Sequence, residues 1–355
     1  VARRFAGLRY CKRAADFRGI AGVAASLAED EAFFDEAPAG IAGPTAFWEV
    51  RRTGEVCRVG LSPEHRQRMR IATDPDDEAE TPLFDMLLAH AFGEGPEGDG
   101  QRRLLQQVFG AALARVLYLF RIAVLLLGVT GAGKSVLLQI LAGLVPRDLI
   151  GATSPQRWEN EYYLAGLAGK IFNIVGELDP HQEIPGGAFK AVVGCDVVEG
   201  RHPTHRPFSF VCTASHFFNA NKLPPTVDRS DAFFSRWRVL TFRRSVPRER
   251  VIVDLSSRIL EEEAGGVVAW MLRGAADVMS SGGVLETPQH RETILRWRNA
   301  NNSALQFLLD DEVCQLEEAE THGSVLYEAY VKWARSAGVR PFGRNGFYEA
   351  IDEGA

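Results

Sequence analysis

One stretch of the chain, GVTGAGKS, has the spacing G-x-x-x-x-G-K-[ST] of a loop that binds nucleotide phosphates. It comprises Gly128, Val129, Thr130, Gly131, Ala132, Gly133, Lys134 and Ser135. The glycines allow backbone N–H groups to turn inward, Lys134 can neutralise the β- and γ-phosphates, and Ser135 can ligate Mg²⁺. An apolar run precedes the loop and VLLQILAGL follows it, which is the required strand–loop–helix context. We therefore predict a site for ATP and Mg²⁺ rather than a glycine-rich turn that matches the motif by chance.

Two acidic side chains follow the next strand-like run of the chain. In KIFNIVGELDP, Glu177 and Asp179 come shortly after the mainly apolar run 171–175. Hydrolysis of a nucleoside triphosphate needs a carboxylate near the metal ion and the attacking water. We predict that Glu177 polarises the water or holds the Mg²⁺, and that Asp179 is the second candidate. The alternative is that both acids cap a loop.

A later apolar run ends in an amide side chain. In FFNANKLPPTVD, Asn221 follows a strand-like run at 216–220, and the two prolines after it prevent a regular continuation. Ligands of a parallel sheet lie at the carboxyl ends of its strands. We therefore expect the Asn221 amide to contact the γ-phosphate or the attacking water.

An arginine precedes the last strand-like run of this region. Arg236 follows Phe233 and Phe234 in DAFFSRWRVLTF. An arginine that reaches a neighbouring subunit's triphosphate stabilises the charge that develops during phosphoryl transfer, and we predict this role for Arg236. A single arginine between aromatic residues is also typical of an ordinary surface position, and that alternative stays open.

These residues require a fold that brings the ends of several strands together. Residues 122–242 alternate strand-like runs with helical stretches, which predicts an α/β core with a parallel sheet. The strand-like runs are 122–127, 171–175, 208–212, 216–220 and 238–242. The predicted domains are a mainly helical N-terminal domain over 1–110 with a hairpin near 47–59, an ATPase core over 111–246, a helical segment over 247–310 and a helix-turn-helix over 311–355. Short helices are expected from residue 1 to about 46.

Charge is distributed unevenly along the chain. The net charge of -6 would by itself disfavour a nucleic-acid partner, yet residues 199–250 hold ten Lys or Arg against four acids. Within them, GRHPTHR joins two strand-like runs and predicts a hairpin with Arg201, His202, His205 and Arg206 at its tip. Such a surface can hold a DNA backbone through charge, independently of sequence. The alternatives are a solvated loop and a metal-binding pair formed by His202 and His205.

Four stretches, taken in order, resemble the superfamily 3 helicases, and within them the phage and plasmid primase-helicase family. They are GVTGAGKS, NIVGELDP, FKAVVGCDVVEGRHPTHRPFSF and ASHFFNANKLPPTVDRSDAFFSRWRVLTF. The last has the most specific spacing, which runs from Asn221 through Asp228 to Arg236 and Trp237. The resemblance covers roughly residues 45–335. It implies an AAA+-like ATPase core, a hexameric ring and ATP-driven movement along single-stranded DNA.

The resemblance also implies roles for particular residues. Asn221 would sense the γ-phosphate, Arg236 would be the finger that reaches the neighbouring subunit, and the basic hairpin would line the ring channel. The N-terminal domain would support oligomerisation, and the tail would be a partial winged helix. The chain would act on forked DNA in phage or mobile-element replication, with a primase on a separate chain or in a missing N-terminal part.

Two other classes of function remain open at this stage. A DNA-binding replication initiator or assembly factor would use the same motifs, with ATP switching oligomerisation and without processive unwinding. A metabolic kinase would use the phosphate loop but would leave Asn221, Arg236 and the basic hairpin without a role. Five scattered cysteines with no CxxC pair predict reduced thiols in a cytosol, here that of a bacterial host. The longest apolar run is too short to span a membrane.

Overall fold

The computed structural model describes residues 37–310, 321–339 and 341–352, together with Gly19, Val23 and Phe34. Most of the short helices expected before residue 46, and part of the predicted tail, therefore lie outside the described residues.

A small antiparallel sheet lies near the start of the described chain. Its strands are β1 (Gly40–Ala42), β2 (Phe47–Val50) and β3 (Val56–Val59). β2 and β3 form the hairpin predicted near residues 47–59, with Val50 opposite Val56. β1 corrects the expectation of helix up to residue 46, because Ile41 is buried in the core and the chain pairs with β2 instead.

The remaining elements alternate helices and strands. They are α1 (Pro82–Phe92), α2 (Pro96–Leu113), β4 (Ala123–Gly128), α3 (Lys134–Gly143), β5 (Ile150–Gly151), α4 (Glu161–Leu164), β6 (Phe172–Val175), α5 (Gly186–Val193), β7 (Val197–Gly200), β8 (Phe208–Val211), β9 (Ser215–Ala220), α6 (Asp231–Phe234), β10 (Trp237–Phe242), α7 (Leu255–Glu262), α8 (Ala264–Ser281), α9 (Pro288–Ala300), α10 (Ser303–Leu308), α11 (Gly323–Ser336) and α12 (Arg344–Asp352).

A five-stranded parallel sheet forms the centre of the molecule, in the order β10-β4-β9-β6-β5. The α/β prediction is therefore confirmed. Four of the five predicted strand-like runs are strands of this sheet, with ends within one residue of those expected. The fifth, at 208–212, lies elsewhere, because β8 pairs antiparallel with β7 outside the sheet. The short strand β5 was not predicted.

Helices cover both faces of the parallel sheet. Val124 and Leu126 of β4 pack into a core that includes residues of α1, α2, α3 and α8. The alternate residues Ala123, Leu125 and Leu127 pack into a second core, which includes residues of α5, α6 and α9. Burial on both faces explains why β4 reads as a continuous apolar run rather than as an alternating one.

The helices before the sheet are tied to those after it. α2 packs so closely on α8 that a Cβ atom at Gly110 would lie 1.8 Å from the carbonyl oxygen of Met271. Glu263 accepts hydrogen bonds from the backbone N–H groups of Leu83, at 2.8 Å, and Phe84, at 2.9 Å, and so caps α1. The domain boundary predicted after residue 110 thus falls inside a helix whose partner lies in the 247–310 segment.

The last three helices form a small unit with its own core. α10, α11 and α12 bury Phe307, Tyr330 and Phe347 against one another. α11 and α12 are the two helices predicted for the tail. Within the described ranges, no helix combines the length and the apolar character needed to cross a membrane.

Candidate functional site

The loop between β4 and α3 lies at the carboxyl edge of the parallel sheet. Gly131 and Gly133 have φ values of +74° and +87°, in the left-handed region that glycine adopts at little cost. A Cβ atom at Gly133 would also lie 2.9 Å from the Cδ1 atom of Leu87, so α1 approaches the loop closely at this position. The loop therefore wraps the N-terminal end of α3, where backbone N–H groups and the helix dipole favour an anion.

Lys134 is the first residue of α3 and is only 5% exposed. Its Nζ atom donates to the carbonyl oxygens of Gly128, at 2.6 Å, and Val129, at 2.7 Å, and to Oδ1 of Asn221, at 3.1 Å. Burial lowers the pKa of the Lys134 ammonium, and the negative charge of Glu177 opposes that shift. These contacts hold the ammonium between the loop and the neighbouring strand, where a phosphate oxygen can replace a carbonyl as acceptor.

Asn221 links the phosphate loop to the acidic strand end. β9 lies between β4 and β6, so Asn221, directly after β9, stands between Lys134 and Glu177. Its Nδ2 atom donates to Oε1 of Glu177 at 2.8 Å, while its Oδ1 atom accepts from Lys134. Parallel strands end at one edge of the sheet, which explains why residues far apart in the chain meet here.

A second polar pair, Ser135 and Asn219, lies in the same cavity. Nδ2 of Asn219 donates to Oγ of Ser135 at 3.4 Å, while its Oδ1 atom is buried and has no hydrogen-bond partner. A buried oxygen without a partner is costly unless a cation or a water satisfies it, and oxygen ligands are those that Mg²⁺ prefers. The residues present therefore fit Mg²⁺.

Asn219 was missed by the sequence analysis, although a signal was available. It stands two residues before Asn221, and side chains two apart in a strand point to the same face. The strand end thus presents two amides to the cavity, of which the sequence analysis used one.

Asp179 lies outside this group. Its Oδ1 atom accepts from the backbone N–H of His181 at 2.8 Å, so its carboxylate is used within its own loop. Its backbone N–H and carbonyl both bond the side chain of Gln156. Of the two acids predicted for this position, only Glu177 lines the cavity.

Arg236 lies at the amino-terminal ends of the sheet strands, whereas the phosphate loop lies at their carboxyl ends. Its carbonyl accepts from the backbone N–H of Ala123 at 2.7 Å, and its guanidinium donates to the carbonyl of Ala232. The phosphate loop follows the far end of β4, so Arg236 lies roughly 17–20 Å from the loop of its own chain. An arginine side chain cannot cover that distance.

The loop and its partners line one cavity of about 610 Å³, a size typical of small-molecule sites. Its polar end is formed by the phosphate loop with Glu177, Asn219 and Asn221. The rest of the lining, called the apolar end below, comprises Met86, Leu87, His90, Val246, Arg250, Val251, Ile252 and Leu255, of which Leu87 and Val246 adjoin the loop. α1, which sequence patterns assign to a separate N-terminal domain, therefore contributes to the site.

The predicted basic hairpin is formed by β7 and β8. His202, His205 and Arg206 are exposed at its tip. Arg201 is held more firmly, because its Nε atom donates to the carbonyl of His205 at 3.2 Å and its Nη1 atom lies 3.4 Å from Oε1 of Glu161. In the part of the chain that the structure describes, no third His, Cys, Asp or Glu lies with the two histidines to form a cluster that could hold a metal ion.

Two tyrosines that the sequence analysis did not use lie beside the hairpin. Tyr162 and Tyr163 of α4 are 49% and 41% exposed. The guanidinium of Arg201 lies 5.9 Å from the Tyr162 ring, and that of Arg157 lies 5.0 Å from the Tyr163 ring. Aromatic rings interleaved with arginines are typical of surfaces that bind single-stranded nucleic acid.

Residues 126–239 match the model of a family of unknown function (DUF5906). The match begins in β4 and ends in β10, so it spans most of the parallel sheet. No curated protein matches the chain at a significant level.

Two apo structures of the NrS-1 C-terminal region are similar to the chain, with TM-scores of 0.48 and 0.47 and 13% identity in both cases. The matched regions cover 72% and 68% of this chain and 64% and 59% of the two NrS-1 chains. The chain thus spans less than two thirds of each.

Proposed function

We propose that the chain is an ATP-dependent DNA helicase of the superfamily 3 type, with an AAA+-like core and a partial winged-helix tail. It would act as a hexameric ring on single-stranded and forked DNA in phage, plasmid or other mobile-element replication. The observation that carries this proposal is the contact of Asn221 with both Lys134 and Glu177 at the carboxyl ends of neighbouring parallel strands.

The proposed chemistry is the transfer of the γ-phosphoryl group of ATP to water, which depends on positioning and charge stabilisation. Lys134 would bind the β- and γ-phosphate oxygens. Ser135 and Glu177 would hold Mg²⁺, which neutralises charge on the phosphates when bound. Glu177 would also accept the proton of the attacking water, and Asn221, which donates to that carboxylate, would fix its direction.

The basic hairpin and the two tyrosines support the proposal of a DNA partner. The exposed residues His202, His205 and Arg206 would contact the phosphate backbone, while Tyr162 and Tyr163 would stack with unpaired bases. Such contacts are independent of sequence, as movement along DNA requires.

ATP hydrolysis and strand displacement on forked DNA test the proposal together. Lys134→Ala is expected to abolish both activities. Glu177→Gln is expected to bind ATP but to slow turnover by roughly 10²–10⁴-fold, the range for loss of a general base. The matched control is Asp179→Asn, which makes the same chemical change two residues away and outside the cavity. If Glu177→Gln hydrolyses ATP at the wild-type rate while Asp179→Asn does not, the carboxylate has been assigned wrongly.

The same assays separate the helicase from the replication initiator or assembly factor. An initiator of that kind would bind ATP and DNA and change its oligomeric state with ATP, but would not displace a strand from a fork. Normal ATPase activity without strand displacement would therefore refute the helicase and favour this alternative.

Salt dependence tests the proposed DNA surface. Tyr162→Ala and Tyr163→Ala are expected to weaken single-stranded DNA binding by about 1–3 kcal/mol per stacked base while leaving the salt slope unchanged. Arg206→Ala is expected to reduce the slope by about 0.7, the value for one phosphate contact on a single strand. Equal effects of all three variants on the slope would contradict this division of roles.

A further inference from the structure

The apolar end of the cavity contains a buried polar atom without a partner. His90 lies in the last turn of α1 and lines the cavity, and its Nε2 atom is buried and makes no hydrogen bond. A buried polar atom in this condition is unfavourable unless a ligand satisfies it.

The side chains around His90 offer open apolar surface. Met86 and Val251 line the same end of the cavity, and they are 44% and 58% exposed. Large apolar side chains with this much exposure at the wall of a cavity favour a flat apolar ligand. The lining thus combines apolar contacts with a polar atom of His90 that can fix the ligand's orientation, and Arg250 is the charged side chain of the same lining.

The distance from this end to the phosphate loop is short, because α1 packs directly on the loop. The Leu87 side chain lies against Gly133, and Leu87 lines the cavity with its neighbour Met86. A ligand whose phosphates lie at the N-terminus of α3 therefore extends towards α1. The Glu263 carboxylate holds the other end of that helix, which keeps His90 in position.

We infer that this end of the cavity binds the purine base of the nucleotide and that His90 recognises the edge of the base. The inference rests on the proposed function, because it assumes that the phosphate loop holds a nucleoside triphosphate. The neutral imidazole Nε2 donates to a purine ring nitrogen in one tautomer and accepts from the adenine amino group in the other. The fused purine rings cover more of the apolar lining than a pyrimidine does, so the site selects purines.

Equilibrium binding of the magnesium complexes of ATP, CTP and inorganic tripolyphosphate tests the inference. His90→Leu is expected to weaken ATP binding about tenfold and to reduce the preference for ATP over CTP by a similar factor, since one buried hydrogen bond is lost. Binding of tripolyphosphate should not change, because it has no base. Lys134→Ala should weaken binding of all three ligands.

Two further variants make the test decisive. His181→Leu makes the same chemical change at an exposed histidine outside the cavity lining and should bind all three ligands like the wild type. His90→Gln keeps a polar atom at a similar reach and should retain part of the preference for ATP. The midpoints of urea unfolding show that each variant is folded.

The outcomes separate this inference from the proposed function. If a folded His90→Leu keeps the wild-type preference for ATP over CTP, or if His90→Gln is as unselective as His90→Leu, His90 does not read the base. Loss of tripolyphosphate binding in His90→Leu would also overturn the inference, because His90 would then act on the phosphate end. Failure of the wild type to bind any of the three ligands would instead refute the nucleotide site itself.

Discussion

Mixing two inactive variants is expected to restore ATPase activity if Arg236 acts across a subunit boundary. Arg236 precedes β10, whereas the phosphate loop follows the opposite end of β4, which pairs with β10. The two sites of one chain are therefore separated by roughly 17–20 Å. Lys134→Ala removes the phosphate-loop cation but keeps the arginine, and Arg236→Ala does the reverse.

The size of the recovery follows from how subunits combine in a ring. Each variant alone should lose about 10³-fold or more in turnover, the usual effect of removing such an arginine or its phosphate site. In an equal random mixture, half of the subunits offer an intact Lys134 and half of their neighbours offer an intact Arg236. About one quarter of the interfaces are then complete, whatever the size of the ring, because each interface has two independent halves.

The assay is steady-state phosphate release at constant total protein while the mixing ratio is varied. Activity should rise to a maximum at equal amounts and fall symmetrically on either side. The control replaces the Arg236→Ala variant with one that carries both substitutions, which cannot form a complete interface with Lys134→Ala. Native mass measurement of differently tagged subunits shows whether they exchange. Inactivity of a fully exchanged mixture would mean that Arg236 does not act across the subunit boundary, and wild-type activity of Arg236→Ala alone would mean that it has no role in hydrolysis.

The remaining predictions concern stability and turnover. Burial lowers the pKa of His216 to about 3 and that of His290 to about 4, with two arginines adding to the effect at His290. Both histidines stay neutral in the folded chain, whereas in the unfolded chain they bind protons below about pH 6.5. The free energy of unfolding should therefore fall by roughly 2 kcal/mol for each histidine from pH 7 to pH 5. Equal free energies from urea unfolding at the two pH values would contradict this. Glu263→Ala removes the buried cap of α1 and should lower the free energy of unfolding by about 2–3 kcal/mol, measured in the same way; a loss below about 0.5 kcal/mol would show that solvent replaces the cap. Asn221→Asp replaces the amide that donates to Glu177 with a second carboxylate, so the hydrogen bond that orients Glu177 should be lost and ATP turnover should fall; turnover at the wild-type rate would show that Asn221 does not orient Glu177.

The sequence determined the local parts of this protein. Strand, loop and helix around Lys134 follow from an apolar run, glycines that can adopt positive φ, and a helix-forming stretch, all within a short segment. The sheet strands ended within one residue of the predictions because each is a buried run bounded by polar or turn residues. β1 and the short β5 were missed, since strands of two or three residues leave almost no periodic signal.

Only the tertiary structure decided which side chains meet. The preference for Glu177 over Asp179 depends on side-chain direction, because both follow the same strand and only one reaches Asn221. That meeting in turn depends on β9 inserting between β4 and β6, which is set by packing on both faces of the sheet and leaves no trace in local spacing. The position of His90 at the cavity could not be predicted from the sequence for the same reason. Its helix, α1, lines the cavity because α1 and α2 share a core with helices more than a hundred residues later. A contact between such distant segments cannot be read from the periodicity of either one.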